Sequence, residues 1–317
     1  MQELADTTHI DVQTLVSFRP GMRDAREKLR WVSSRVTTLP EDIAYSLFGI
    51  FGIHLPVIYG EKKQNALGRL LQEIVAQSGD ITALDWVGKS SEFNSCLPAD
   101  TTSYKAPLFT LPSLSENEMQ ASISLLLNVV PVELASKLYS MLDNLSPARF
   151  ANRRLHLPCI AFRITEVEKR GKDQGVYSTY GVKANGLQDL LVTTEDKLFE
   201  FSPAKPVVRT FLLVRPWKRH DLGLPDFADD TESVKDLSDP FVWPKCLPDE
   251  DGQVASESYL AALQMIVGLG QPFGALLLAQ IRGREYKRIA SDYEIVARVK
   301  DMASVRDMMD VRTLEIL

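Results

Sequence analysis

The side chains that could do chemistry in this chain of 317 residues are few and scattered. Its four histidines are His9, His54, His156 and His220, and its three cysteines are Cys96, Cys159 and Cys246. None has a second histidine or cysteine at metal-ligand spacing and no C-x-x-C occurs, so no metal site is expected. A Cys/His dyad assembled from distant parts stays open, but each cysteine also reads as a small core residue. No G-x-S-x-G nucleophile elbow is present. The nearest approach to a phosphate loop, Gly268-Leu269-Gly270-Gln271-Pro272-Phe273-Gly274, has no lysine and puts a proline where an N–H should face the phosphate. It reads instead as a helix end running into a strand. Arg282, Arg284, Lys287 and Arg288 bracket an expected hairpin turn without an aromatic stacking platform, which reads as a solvated turn and not a nucleic-acid site. No local catalytic signature emerges, and no cofactor is expected.

Composition agrees with a globular chain of about two domains. It is 45% hydrophobic and 25% charged, with a formal net charge of −6, which argues against general nucleic-acid binding. No run approaches the length of a membrane span, and the N-terminus has no basic segment followed by an apolar one. An odd cysteine count demands no oxidising compartment, so the expectation is a cytoplasmic protein with no membrane partner. Charge is concentrated in residues 221–257, where 11 acids face two lysines for a local net of −9, among four prolines. This stretch reads as a solvated, flexible insertion and the expected first site of limited proteolysis, with an acidic docking segment as the alternative.

The elements that must position any site change character along the chain. Residues 24–33 carry Ala25, Leu29 and Val32 at helical spacing. Thr38 stands three residues before Glu41 in the form of a capping box, which predicts a helix over 39–51 ended by Gly52. A second helix is expected over 62–78, with Ala66, Leu67, Leu70, Leu71, Ile74 and Val75 as its buried stripe and Gly79 as its stop. Residues 90–112 read as an extended connector, and two helices follow, divided at Pro131. From Leu155 the period becomes two. Strands are expected over 155–165, 176–182, 189–194, 197–201 and 207–214, then a helix over 258–269. Further strands are expected over 274–281, 285–290 and 293–299, and a short helical turn near 305–310. Strands in succession with few intervening helices predict an α+β fold, a helical unit followed by a mainly antiparallel sheet. The expected division is a helical region over 1–88, a connector and helical segment over 89–150, and a β-rich domain over 151–317.

The densest constellation lies between Trp31 and Trp86. It comprises Trp31-Val32-Ser33-Ser34-Arg35-Val36-Thr37-Thr38, then Glu41-Asp42-Ile43-Ala44-Tyr45-Ser46-Leu47-Phe48-Gly49-Ile50-Phe51, Leu55-Pro56-Val57-Ile58-Tyr59-Gly60-Glu61 and Arg69-Leu70-Leu71-Gln72-Glu73-Ile74. This resembles the region just after the core of fungal heterokaryon-incompatibility (HET) domain proteins. Their pattern there is W-A-S-x-R-x-T-T-x-x-E-D-x-A-Y-x-L-x-G-x-F, then P-L-x-Y-G-E-G and R-L-Q-x-E-I. Asp80-Ile81-Thr82-Ala83-Leu84-Asp85-Trp86 is similar to the tryptophan-ended element that follows. The resemblance covers about residues 10–105. Its turn departs from the family's Y-G-E-G, having Lys62 in place of the second glycine. The family's core, with its TIR-like α/β fold and NAD cleavage, would precede this region and is expected to lie outside the chain, so no NAD turnover is expected.

The resemblance implies that Trp31, Arg35, Thr38, Glu41, Asp42, Tyr45, Tyr59, Gly60 and Glu61 form either a packing network or a docking face. In the packing case Arg35, Glu41 and Asp42 would build an ion network at a helix N-terminus, and Tyr45 and Tyr59 would sit between helices. In the docking case the partner is a protein, a HET core supplied in trans or a second copy. The resulting expectation is a non-enzymatic interaction module in non-self recognition. The alternative is an enzyme with its site in the β-rich half, which a cleft of convergent polar groups with shifted pKa values would favour.

Overall fold

The computed structural model describes residues 10–107, 114–170, 176–198, 210–218 and 256–317. His9, His220, Cys246 and nearly all of the acidic stretch lie outside the described residues. So do most of the expected strand over 197–201 and the start of that over 207–214.

The fold is α+β, as expected. Helices α1 (Val12–Ser17) and α2 (Ala25–Trp31) come first, then two single turns, α3 (Asp42–Tyr45) and α4 (Phe48–Phe51), and the long α5 (Lys63–Ser78). Gly52 (φ +67°) and Gly79 (φ +68°) end α4 and α5 in the left-handed region, each donating its N–H back into the last turn. The expected helix over 39–51 is broken, however. Thr38 is exposed and makes no cap, the Glu41 carboxylate accepts from Gly60 N instead of reaching back, and the chain turns at Ser46 and Leu47. A reciprocal capping box does form at Ser115 and Glu118, at the start of α6 (Glu116–Leu127). After Pro131 comes α7 (Val132–Asp143), then β1 (Arg149–Ala151) and β2 (Arg154–Lys169), joined by a tight turn at Asn152 and Arg153, both with positive φ.

The sheet continues with β3 (Ser178–Ala184), β4 (Leu190–Thr194) and β5 (Phe211–Pro216). Helix α8 (Glu257–Gly270) then precedes β6 (Phe273–Arg282), β7 (Glu285–Ile289), β8 (Ile295–Ala297) and β9 (Val311–Ile316). Strand order is β4-β3-β2-β5-β6-β7-β9, with β1 on β2 and β8 on β6. All pairings are antiparallel except a short parallel one between β7 and β9. Because β9 also pairs with β2, the path β2-β5-β6-β7-β9 returns on itself.

The shared strands are buried on both faces, which explains their continuous apolar runs. On one face Ile160, Phe162, Leu213 and Leu277 pack under α6, α7 and α8. On the other, Leu157, Val214, Leu278 and Leu314 pack against Leu29, Leu47, Phe51, Leu67, Leu70 and Ile74 of the N-terminal helices. Each fully buried side chain of this size contributes roughly 1.5–3 kcal/mol. The apolar face of α4 and α5 is therefore covered by the chain's own sheet.

Residues 90–107 differ from an extended solvated connector. Phe93, Cys96, Leu97 and Tyr104 are buried in the same core. Asn94 explains why: its Nδ2 donates to Arg153 O (2.8 Å) and Ile316 O (2.9 Å) while its Oδ1 accepts from Cys96 N. The loop is stitched onto β9 and the β1–β2 turn, partners far away in sequence.

Candidate functional site

The motif residues divide into a tight cluster and a loose rim. The cluster holds the turn before α5. Glu41, on the approach to α3, accepts from Gly60 N at 2.8 Å, and this bond holds its carboxyl below the usual carboxylate range. Gly60 has φ +80°, a conformation that favours glycine. Tyr45 bridges the same turn, its hydroxyl donating to Ile58 O (2.8 Å) and accepting from Ile58 N (3.0 Å). It also lies 2.5 Å from Glu61 Oε1, and its ring meets Phe48 edge-on. Glu61 pairs with Arg69 of α5, which reaches on to Pro56 O at 3.0 Å. Lys62, where the family pattern has glycine, has φ −61°, so no glycine is required there. Its Nζ pairs with Glu92 at 3.3 Å.

The remaining motif residues stand apart. Trp31 donates its indole N–H to Glu27 Oε1 at 3.1 Å within α2. Arg35 and Thr38 are exposed. Asp42 opens α3, where its charge favours the helix dipole. The expected ion network of Arg35, Glu41 and Asp42 is not formed among the described residues. Glu41 is taken by a backbone N–H, and the ion pair that braces the turn at Ile58 and Gly60 is Glu61–Arg69. Nor does Tyr59 pack between helices: it is 77% exposed. With Val57 and Ile58 it presents an exposed apolar turn, and Val36 and Leu39, on the segment leading into Glu41, are exposed as well.

Replacing Glu41 by glutamine tests what holds this turn. A carboxylate whose folded pKa is depressed contributes stability above its unfolded pKa, lost as pH falls through the folded value. The E41Q variant should melt below the wild type at pH 7, and the gap should close under acid, below about pH 4. Thermal melts across pH check this; a gap that does not change with pH would assign the effect to packing.

Two buried guanidinium groups complete the region, and sequence reasoning missed both. Arg26, 3% exposed, donates to Asp85 O (2.6 Å), Tyr104 O (2.9 Å) and Ala106 O (2.6 Å). Arg288 of β7, expected in a solvated turn, is 4% exposed. It donates to Leu84 O (2.7 Å) and Trp86 O (2.9 Å) and lies over the Trp86 ring at 4.0 Å. Alternation could have placed Arg288 on the face opposite Lys287; nothing local shows that main-chain carbonyls await it. The Asp80–Trp86 element is thus the acceptor frame that locks α2 and β7 together. Cys96 and Cys159 are buried with their thiols pushed up to about 12 by burial, so neither is a nucleophile at neutral pH. Among the described residues no helix is long and apolar enough to cross a membrane.

No family model matches the chain, and no solved structure matches it. A stretch of 79 residues, a quarter of the chain, is 42% identical to a stretch of vegetative incompatibility protein HET-E-1 of Podospora anserina, of which it covers 6%. The chain is therefore locally similar to a vegetative incompatibility protein, over a small part of that protein's length.

Proposed function

We propose that the protein is a non-enzymatic interaction module of the heterokaryon-incompatibility type, acting in fungal non-self recognition by docking a protein partner. The local similarity to a vegetative incompatibility protein carries this reading. The geometry supports it at one place. The turn of Val57, Ile58 and Tyr59 is held by Glu41, Tyr45, Glu61 and Arg69, yet its side chains face solvent. A rigid exposed apolar turn loses little conformational freedom on binding, and tyrosine is enriched at interface centres. The partner proposed is a HET core supplied in trans, with a second copy of this chain as the competing occupant. The broad apolar faces of α4 and α5 cannot serve, since they are already buried.

An Ile58→Ser/Tyr59→Ser variant should melt within about 0.5 kcal/mol of the wild type, since both side chains are exposed. It should lose at least about tenfold in affinity for a separately expressed HET core, measured by calorimetry. A wild-type chain that neither binds that core nor sediments above a monomer at tens of micromolar, roughly the range in which weak specific contacts register, would refute the reading.

A further inference from the structure

Two motif residues that the turn leaves unused, Arg35 and Thr38, lie on one exposed stretch. Residues 34–40 form no helix or strand, and Arg35, Val36, Thr38, Leu39 and Pro40 are all exposed, Val36 to 94%. Among the described residues, no backbone N–H of Val36, Thr37, Thr38 or Leu39 is bonded to a main-chain carbonyl. The two threonines differ. The Thr37 hydroxyl donates to Leu39 O at 2.6 Å, whereas the Thr38 hydroxyl makes no hydrogen bond among the described residues. Arg35, three residues earlier, has no ion pair among them either. Three hydroxyls in the chain stand three residues after an arginine: Ser33, Thr38 and Ser291. Ser33 is buried and donates to Arg30 O at 2.7 Å. Ser291 is buried, and so is its arginine, Arg288. Thr38 is the one of the three whose hydroxyl and arginine both face solvent.

We propose that Thr38 is a phosphoacceptor for an arginine-directed protein kinase, and that its phosphate closes the docking face; the second half rests on the docking reading above. Kinases select substrates by the charge pattern of a short segment. Arg35 supplies the cation here, and the free N–H groups of residues 36–39 let the segment enter a cleft without breaking the core. The step moves the γ-phosphoryl group of ATP. The bond from Thr38 Oγ1 to phosphorus forms, the bond from that phosphorus to the β,γ-bridging oxygen breaks, ADP leaves, and the hydroxyl proton passes to the kinase's catalytic base. The phosphate brings a charge of about −1.5 to −2 at pH 7. It stands between Val36 and Leu39, on the segment that Glu41 ties to Gly60 beside Tyr59. A partner covering these apolar side chains would have to strip water from that charge with no group of its own to pair it, which is the costly arrangement.

The test treats the folded full chain with MgATP and a protein kinase that requires arginine three residues before its acceptor. Intact mass should show one phosphate, and fragmentation should place it on Thr38. Thr38→Val and Arg35→Ala, both at exposed positions, should melt like the wild type. The first should take up no phosphate, and the second should take it up at least about tenfold more slowly. The phosphorylated chain should bind a separately expressed HET core at least about tenfold more weakly than the unmodified chain. Labelling of Ser33 or Ser291 in place of Thr38, labelling only after denaturation, or an unchanged rate in Arg35→Ala would overturn the site. Equal affinity of the two forms for the core would overturn the closing of the face. A chain labelled at Thr38 whose unmodified form never binds a core sinks the docking reading and the regulation with it; a chain that binds a core but leaves Thr38 unlabelled sinks this proposal alone.

Discussion

Arg288→Ala is expected to lower the free energy of unfolding by about 3–5 kcal/mol, since it removes two buried hydrogen bonds from a charged donor at roughly 1.5–3 kcal/mol each. The alanine would leave Trp86 O without a donor and Leu84 O with only the Trp86 N–H, expose one face of Trp86 to an empty space, and free Asp85–Trp86 from β7. Lysine should not rescue the loss. One ammonium cannot reach two diverging carbonyls and cover an indole as a planar fork does. Chemical denaturation of the alanine and lysine variants measures this directly. A loss below about 1 kcal/mol for alanine would mean that water replaces the guanidinium at the carbonyls.

Gly68→Ala should also destabilise, against the rule for helix interiors. In an exposed helix this change gains about 0.8–1 kcal/mol. Here Gly68 lies in α5 directly under the Phe93 ring, and an added Cβ would fall 2.6 Å from Phe93 Cδ1. Phe93 cannot swing away freely, because it is buried and the Arg153 guanidinium lies over its ring at 4.8 Å. Overpacking of this kind costs about 1–3 kcal/mol, which outweighs the propensity gain. In the background of Phe93→Ala the same change should become neutral or stabilising. Additive losses in that double-mutant cycle would show that the ring is not the obstacle.

Much of the helical architecture could be read from local pattern. The stripe of α5, the glycine stops at 52 and 79 and the division at Pro131 all depend on neighbours within a few residues, and they appear where expected. Strands β2 to β8 were legible for the same reason, since alternation is a local property. What stayed hidden depends on distant partners. Strand β9 is six residues long and its pairing with β2 spans some 150 positions, so no turn signal announces it. Residues 90–107 look polar because their serines and asparagines bond to main chain elsewhere, Asn94 to Ile316 and Ser95 to Leu317. At the turn itself, spacing identified Glu41, Tyr45, Gly60 and Glu61 but not which bonds they make. Thr38 and Glu41 have the right separation for a capping box, yet Thr38 makes no cap and the Glu41 carboxylate accepts from Gly60 N instead.

Strand β2 gives alternate residues to two cores, one beneath the N-terminal helices and one beneath α6 to α8. This arrangement bears on how such a sequence can be exchanged between genes. A fragment carrying only the motif-rich helices, transplanted into another reading frame, would arrive with Leu67, Leu70 and Ile74 uncovered. The recipient would have to supply a new apolar surface or lose the fragment to aggregation. Recombination that preserves folding must therefore move the helices together with the strands that roof them, or place them beside a substitute roof. The heritable piece is longer than the stretch in which likeness can be seen.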